Sequence, residues 1–169
     1  PTRAQHGAVR SSGERPGRTT VVDRYRRVSE LGRGAMGLVE LAEDLDLQRL
    51  VAMKSLAPEE ASRPGARERL IREARLGGGM EHPNIVPVHE LGMFENGDPF
   101  FTMRRLQGRT LAEIFHGHRH KDEELIEEFG RVRLLTVLIQ VCMAVEFAHS
   151  LGVVHRDVKP GNIMLGDFG

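Results

Sequence analysis

Polar and apolar positions divide the chain into a featureless leader, a strand-rich half and a helix-rich end. Residues 1–22 are rich in Arg, Ser, Thr and Gly and poor in apolar side chains, the composition of a disordered basic leader. From Tyr25 the pattern turns to β. Tyr25, Val28 and Leu31 lead into Gly32-Arg33-Gly34-Ala35-Met36-Gly37, and Leu38-Val39-Glu40-Leu41-Ala42 runs on to a polar Glu43-Asp44 turn, which reads as strand, turn, strand. Leu50-Val51-Ala52-Met53-Lys54 is the next strand, and its two-residue period puts Ala52 and Lys54 on one face. Residues 63–80 read as a helix, with Pro64 in its first turn, Leu70, Ile71 and Ala74 as its apolar face, and Gly77-Gly78-Gly79 as its end. His82-Pro83-Asn84 breaks the pattern. Val86–Leu91 and Pro99–Met103 then flank Glu95-Asn96-Gly97-Asp98, and Asn-Gly between two apolar runs is a strong hairpin signal. The sum is five largely antiparallel strands and one helix.

The second half changes period. Arg104-Arg105-Leu106-Gln107-Gly108 is a connector, and Thr110 is the N-cap of a short helix from Leu111 to Phe115, with Glu113 at its third position. His116-Gly117-His118-Arg119-His120 reads as a polar surface loop rather than a zinc trap, and Lys121 to Glu128 as a solvated acidic run. Val132 to Leu151 is the strongest helix, because Leu135, Leu138, Val141, Cys142, Val145 and Ala148 recur at helical spacing, and Gly152 caps it.

Composition adds limits. A chain of 169 residues can form one domain with a real core, and its net charge of zero gives no field that argues for nucleic acid or an acidic membrane. The lone Cys142 cannot make an internal disulfide and sits in an apolar helical pattern, so a buried thiol in a reducing compartment, the cytoplasm, is expected. No apolar run is expected to reach the length of a membrane span, and no signal-peptide pattern opens the chain. Pro1 and Gly169 both look like cut ends.

Chemistry is concentrated in His155-Arg156-Asp157-Val158-Lys159-Pro160-Gly161-Asn162, followed by the apolar Ile163-Met164-Leu165. A carboxylate at Asp157 can accept a proton from a hydroxyl. Lys159 can neutralise a phosphoryl group, and the Asn162 amide oxygen can hold a divalent metal, which together are the equipment of phosphoryl transfer. The G-x-G-x-x-G of Gly32 to Gly37 fits either a dinucleotide-binding turn or a phosphate-covering flap. A dinucleotide fold needs a helix straight after the third glycine, and the residues after Gly37 are β-formers, so the flap fits better. Lys54, in Val51-Ala52-Met53-Lys54, is then a candidate phosphate ligand. Either Glu68 or Glu73 could reach back to it; periodicity leaves both open.

Taken in order, G-R-G-A-M-G-L-V, V-A-M-K, the Arg72-Glu73-Ala74 helix, H-P-N-I-V and H-R-D-V-K-P-G-N resemble the eukaryotic-like (Hanks-type) bacterial Ser/Thr protein kinases from about Tyr25 onward. The resemblance implies an α+β protein-kinase-like fold. Residues 23–103 would form a five-stranded antiparallel N-lobe with one helix, 104–108 a hinge, and 109–169 the first helices and catalytic loop of a helical C-lobe. It implies MgATP, and so ATP and Mg²⁺, as cofactor and a protein Ser/Thr hydroxyl as acceptor, with no nucleic acid partner. Leu31, Gly32, Arg33, Gly34, Ala35, Met36, Gly37 and Leu38 would cover the phosphates. Lys54 would bind them and pair with Glu73, the choice that the Arg-Glu-Ala wording favours. Val39, Ala52 and Met164 would enclose the adenine, Met103 would be the gatekeeper, and the backbone at Arg104 and Leu106 would face the ring edge. Asp157 would orient the hydroxyl, Lys159 would stabilise the γ-phosphate and Asn162 would bind the metal. Lys159 in D-x-K points to Ser/Thr acceptors, and Arg156 implies control by activation-loop phosphorylation. Met53 in place of the usual Ile and Gly161 in place of the commoner Glu are departures of small expected effect.

Asp167-Phe168-Gly169 has the wording of the family's metal-binding D-F-G, yet is expected not to be it. A hairpin of roughly ten residues should separate Asn162 from that Asp, and only Ile163, Met164, Leu165 and Gly166 intervene. Ile163 to Leu165 would then be the first strand of that hairpin and Gly166 to Gly169 its turn. On this reading the chain is a fragment that performs no phosphotransfer by itself and is marginally stable. The alternative is a non-catalytic nucleotide-binding or interaction module.

Overall fold

The computed structural model describes residues 24–34 and 37–166; the expectations for the leader, for Ala35 and Met36, and for Asp167-Phe168-Gly169 lie outside the described residues. Five strands form one antiparallel sheet in the order β1-β2-β3-β5-β4: β1 Tyr25–Gly34, β2 Gly37–Asp44, β3 Arg49–Ser55, β4 Val88–Met93 and β5 Pro99–Arg104. Residues directly opposite in an antiparallel pair share a face. Val39, Lys54 and Phe101 are aligned across β2, β3 and β5, and so are Leu41, Ala52 and Met103. One face therefore carries Val39, Ala52, Lys54 and Met103 together. Helix α2, Ala66–Gly78, packs beside them through Leu70 and Ala74 against Phe101.

The other face holds Tyr25, Ala42, Val51, Met53 and Phe100 as a separate buried cluster. A polar network closes its edge. Arg24 donates to both oxygens of the fully buried Asp44 at 2.8 and 2.9 Å and to Glu90 at 3.2 Å, while the Tyr25 hydroxyl donates to Glu90 at 2.7 Å. The Arg24 guanidinium holds the Asp44 carboxyl at about 2, and burial pushes the Tyr25 phenol up to about 12.

Helix α2 starts later than the 63–80 reading. Gly65 adopts φ 73° as its N-cap, so Pro64 lies in a turn ahead of the helix rather than in its first turn. A short helix, α1 Pro58–Ala61, also precedes it, unannounced by any periodicity in so few residues. The fourth strand begins at Val88, because Pro87 has no N–H to give to a ladder.

The remaining elements are β6 Arg109–Thr110, α3 Leu111–Arg119, α4 Glu123–Glu128, α5 Arg131–Ser150, a 3-10 turn Pro160–Asn162 and β7 Met164–Leu165. Ile114, Leu125, Phe129 and Leu165 form their buried cluster. Here two expectations are corrected. The histidine stretch is the last turn of α3, not a loop, because the Thr110–Glu113 capping box starts a helix long enough to include it. The acidic run is solvated as expected, with only Leu125 of it buried, and it forms helix α4, capped by Asp122. Cys142 is exposed, not buried.

Helix α5 qualifies the expectation about membrane-length runs, by length and composition alone. α5 has 20 residues with mean hydropathy 1.6, enough in length and composition to cross a bilayer. The reading of one apolar stripe missed Val132, Ile139 and Met143, which fill its other sides. Val132 is 79% exposed and Leu138 57%, and of the whole helix only Ala148 is buried.

Candidate active site

The phosphate-flap candidate is a hairpin. β1 and β2 pair up to Gly34 opposite Gly37, with register shifts around Val28 and Leu31, and no helix follows Gly37. Gly37 adopts φ 143°, and a Cβ there would run into the Ser55 carbonyl oxygen, so only glycine lets the hairpin lie against the end of β3. At Gly32 and Gly34, by contrast, a Cβ would meet nothing within 4 Å, and the backbone faces open space. Leu31 and Arg33 are exposed on this hairpin, and Leu38 and Val39 are half-buried. Sequence reasoning passed over the Arg33 contacts with Glu30 at 3.4 Å and Glu59 at 3.3 Å; the signal for Glu59 lay in the unrecognised α1.

Lys54 and Glu73 meet. The Lys54 ammonium lies 2.6 Å from Glu73 Oε1, with the Lys54 side chain only 14% exposed, so the helix partner is Glu73 and not Glu68. The pair forms because the sheet face that carries Lys54 is the face on which α2 packs. Ala52 is buried beside it, Met103 is half-buried, and Arg104 and Leu106 are exposed where β5 leaves the sheet. The Arg104 N–H donates to the Pro87 carbonyl at 3.1 Å, which ties the start of the connector to the segment before β4.

The loop after α5 forms a second cluster. Asp157 Oδ2 accepts from the Lys159 ammonium at 2.9 Å and from Asn162 Nδ2 at 2.9 Å, and the same Nδ2 donates to the Asp157 carbonyl at 2.8 Å. The Asn162 amide nitrogen is spent inside the loop, while its Oδ1, a hard oxygen ligand, takes no hydrogen bond among the described residues. Oδ1 of Asp157 likewise takes no hydrogen bond among the described residues. The Lys159 ammonium, and then the Asn162 amide, hold the Asp157 carboxyl below the usual carboxylate range. His155 Nδ1 accepts from the Asp157 N–H at 3.3 Å, a supporting contact not assigned from the sequence. Arg156 sits at φ 62°, a left-handed conformation that costs a non-glycine residue roughly 1–3 kcal/mol and gathers at functional loops.

What holds this loop is the β6–β7 ribbon. Arg109 pairs with Leu165 and Thr110 with Met164, and the Leu111 N–H donates to the Ile163 carbonyl at 2.8 Å. Gly108, at φ 133°, brings its backbone so close to Leu165 that a Cβ would collide with the Leu165 carbonyl. β7 is thus paired with the start of α3, and Met164 is 39% exposed. Gly108 was read only as part of a connector; its place just before the capping Thr110 was the available signal.

The donor set suits a magnesium nucleotide. A half-buried cation braced by a carboxylate, an open glycine backbone and one amide oxygen without a hydrogen bond match phosphates and a hard metal that keeps water and phosphate ligands rather than a protein cage. The described residues form no cluster of three or more His, Cys, Asp or Glu side chains for a metal.

Comparisons with known proteins give the family. A family model of the protein kinase domain matches residues 25–169. The chain is similar to the serine/threonine-protein kinase PknD of Chlamydia muridarum, 36% identical over 151 residues, covering 88% of this chain and 16% of that protein. It is also similar to the probable serine/threonine-protein kinase PknB of Corynebacterium glutamicum, 37% identical over 152 residues, covering 88% of this chain and 22% of that protein. The PknI kinase domain of Mycobacterium tuberculosis superposes with a TM-score of 0.63 at 28% identity, over 86% of this chain and 56% of that one. The chain thus spans less than a quarter of these curated relatives and about half of a solved kinase domain. Residues 25–169 belong to the protein kinase family, as part of the catalytic domain of a Hanks-type Ser/Thr kinase.

Proposed function

We propose that this chain binds MgATP between the β1–β2 hairpin and the loop after α5, and that it supplies the catalytic loop for phosphoryl transfer to a protein Ser or Thr hydroxyl in the cytoplasm. The observation that carries the reading is the Asp157–Lys159–Asn162 cluster, in which internal bonds occupy one oxygen of Asp157 and the whole amide nitrogen of Asn162. MgATP, when bound, supplies the γ-phosphoryl group and the divalent charge that offsets its negative oxygens. Gly32, Gly34 and Gly37 offer backbone N–H groups to the phosphates, and Leu31, Arg33, Ala35, Met36 and Leu38 complete the cover. Lys54, oriented by Glu73, binds the phosphates from below. Val39, Ala52, Met103 and Met164 line the base site, and the backbone at Arg104 and Leu106 meets its edge. Asp157 orients the acceptor hydroxyl and takes its proton, Lys159 offsets the charge that moves between the two oxygens, and Asn162 Oδ1 ligates the metal.

Two assays test this. Displacement of a fluorescent ATP analogue by MgATP is expected for the chain itself, and Lys54→Met should weaken it at least about tenfold, roughly 1.4 kcal/mol. An affinity unchanged by Lys54→Met would sink the nucleotide site. Labelling of a Ser/Thr acceptor protein from [γ-³²P]ATP, measured in a kinase domain that contains this chain, should be abolished by Asp157→Asn. Nucleotide binding without labelling in that longer protein would favour the non-catalytic module instead.

A further inference from the structure

We infer that His116 and His120, at the C-terminal end of α3, form a bidentate site for a divalent transition-metal ion of the zinc and copper class. The two residues are four apart, His116 in the last turn of α3 and His120 its C-cap, whose N–H still donates to the His116 carbonyl at 3.1 Å, so their side chains are neighbours at the helix end. Their rings are already adjacent, with centroids 4.0 Å apart and planes 26° from parallel. Metal–nitrogen bonds of about 2.0–2.1 Å need two ligand nitrogens about 3 Å apart with converging lone pairs, so the His116 ring, which makes no side-chain hydrogen bond among the described residues, must turn out of the stack to bind.

The hydrogen bonding sets the chemistry. His120 Nδ1 lies 2.8 Å from the His116 carbonyl oxygen. A carbonyl only accepts, so Nδ1 carries the hydrogen and the lone pair is on Nε2. An imidazole whose far nitrogen donates to a backbone carbonyl is fixed in orientation and tautomer, as metal-ligating histidines are. Both residues are exposed, so an ion reaches them without any rearrangement of the core. The C-terminal carbonyl end of α3 favours a cation there.

The neighbouring histidine does not join them. His118 is half a turn away; its Nε2 is buried without a partner beside a cavity of about 550 Å³ lined by Leu111, Phe115 and Ile126. No third His, Cys or carboxylate completes a cluster among the described residues, so the remaining coordination positions go to water. Two imidazoles select borderline ions over Mg²⁺, which prefers oxygen, and the site is therefore chemically separate from the one at Asn162.

The test is Cu²⁺ titration of the full chain followed by electron paramagnetic resonance, with Zn²⁺ affinity measured by calorimetry in the presence of excess Mg²⁺. The expected result is one bound ion with hyperfine coupling to two imidazole nitrogens, undisturbed by Mg²⁺. His116→Gln and His120→Gln should each weaken Zn²⁺ binding at least about tenfold, with helix content by circular dichroism unchanged. His149→Gln, at the exposed end of α5, should leave the affinity as it was. No binding of Zn²⁺ by the unaltered chain up to about 100 µM, or an unchanged affinity in the two variants, would overturn the assignment.

Discussion

Asp157 shows how few atoms decide the chemistry of the loop. Its Oδ2 is held by the Lys159 ammonium and the Asn162 amide, and both contacts favour the ionised carboxylate. A carboxyl held below its usual range stays charged as pH falls through the ordinary aspartate range near 3.9. On the proposed role of Asp157, the acid limb of kcat/KM in a kinase domain that contains this chain should therefore lie below that range. Lys159→Ala removes the larger of the two causes and should move that limb upward, towards an ordinary aspartate, as well as lowering the rate. A pH–rate profile in which Lys159→Ala leaves the limb where it was would show that the contact does not tune Asp157.

At the scale of elements, two joints decide whether the site is assembled. The first is the β6–β7 ribbon with the Thr110 cap. Thr110→Ala removes the acceptor for the Glu113 N–H and should cost about 1 kcal/mol. Gly108→Ala meets the Leu165 carbonyl at a left-handed backbone position and should cost more, of order 1–3 kcal/mol. It should also raise hydrogen exchange at Ile163 to Leu165, which the milder change leaves largely protected. Denaturant unfolding combined with exchange mass spectrometry checks both.

The second joint is Arg24 with Asp44, which pins the start of β1 to the end of β2. Asp44 is depressed to about 2 when folded, against about 3.9 for an unfolded aspartate. The native state thus binds fewer protons than the unfolded state between these values, and the contribution is whole above pH 4 and disappears as pH falls towards 2. Arg24→Ala should destabilise the protein by roughly 1–2 kcal/mol at pH 7. The gap to the unaltered chain should narrow on acidification through that window, as pH-dependent urea unfolding would reveal.

Over the whole molecule, apolar surface is unevenly distributed. The two faces of the sheet each have a buried cluster, and α3, α4 and β7 share a third, yet α5 leaves Val132, Leu135, Leu138, Ile139 and Met143 exposed. Exposed apolar area of this kind favours association. The chain alone should elute from size exclusion at a mass that rises with concentration, and the helical part should exchange amide hydrogens before the sheet does. A concentration-independent monomer that unfolds in one sharp transition would contradict this.

The residue order by itself determined the parts that depend on local physics. Period-two alternation placed Ala52 and Lys54 on one face, β-formers after Gly37 excluded a helix there, Asn96-Gly97 marked a hairpin, and Thr110 with Glu113 marked a cap. The string from His155 to Asn162 foretold the cluster of Asp157, Lys159 and Asn162 because its members are close in sequence and their contacts are local. Periodicity left Glu68 and Glu73 both open and only the family wording favoured Glu73; the contact itself rests on how α2 docks against β3. Only the tertiary structure decided that the histidine stretch and the acidic run are helical, that Gly108 must be glycine, and that Cys142 faces outward. Burial and backbone collision are set by what other segments lie opposite, and periodicity along one segment carries no record of them.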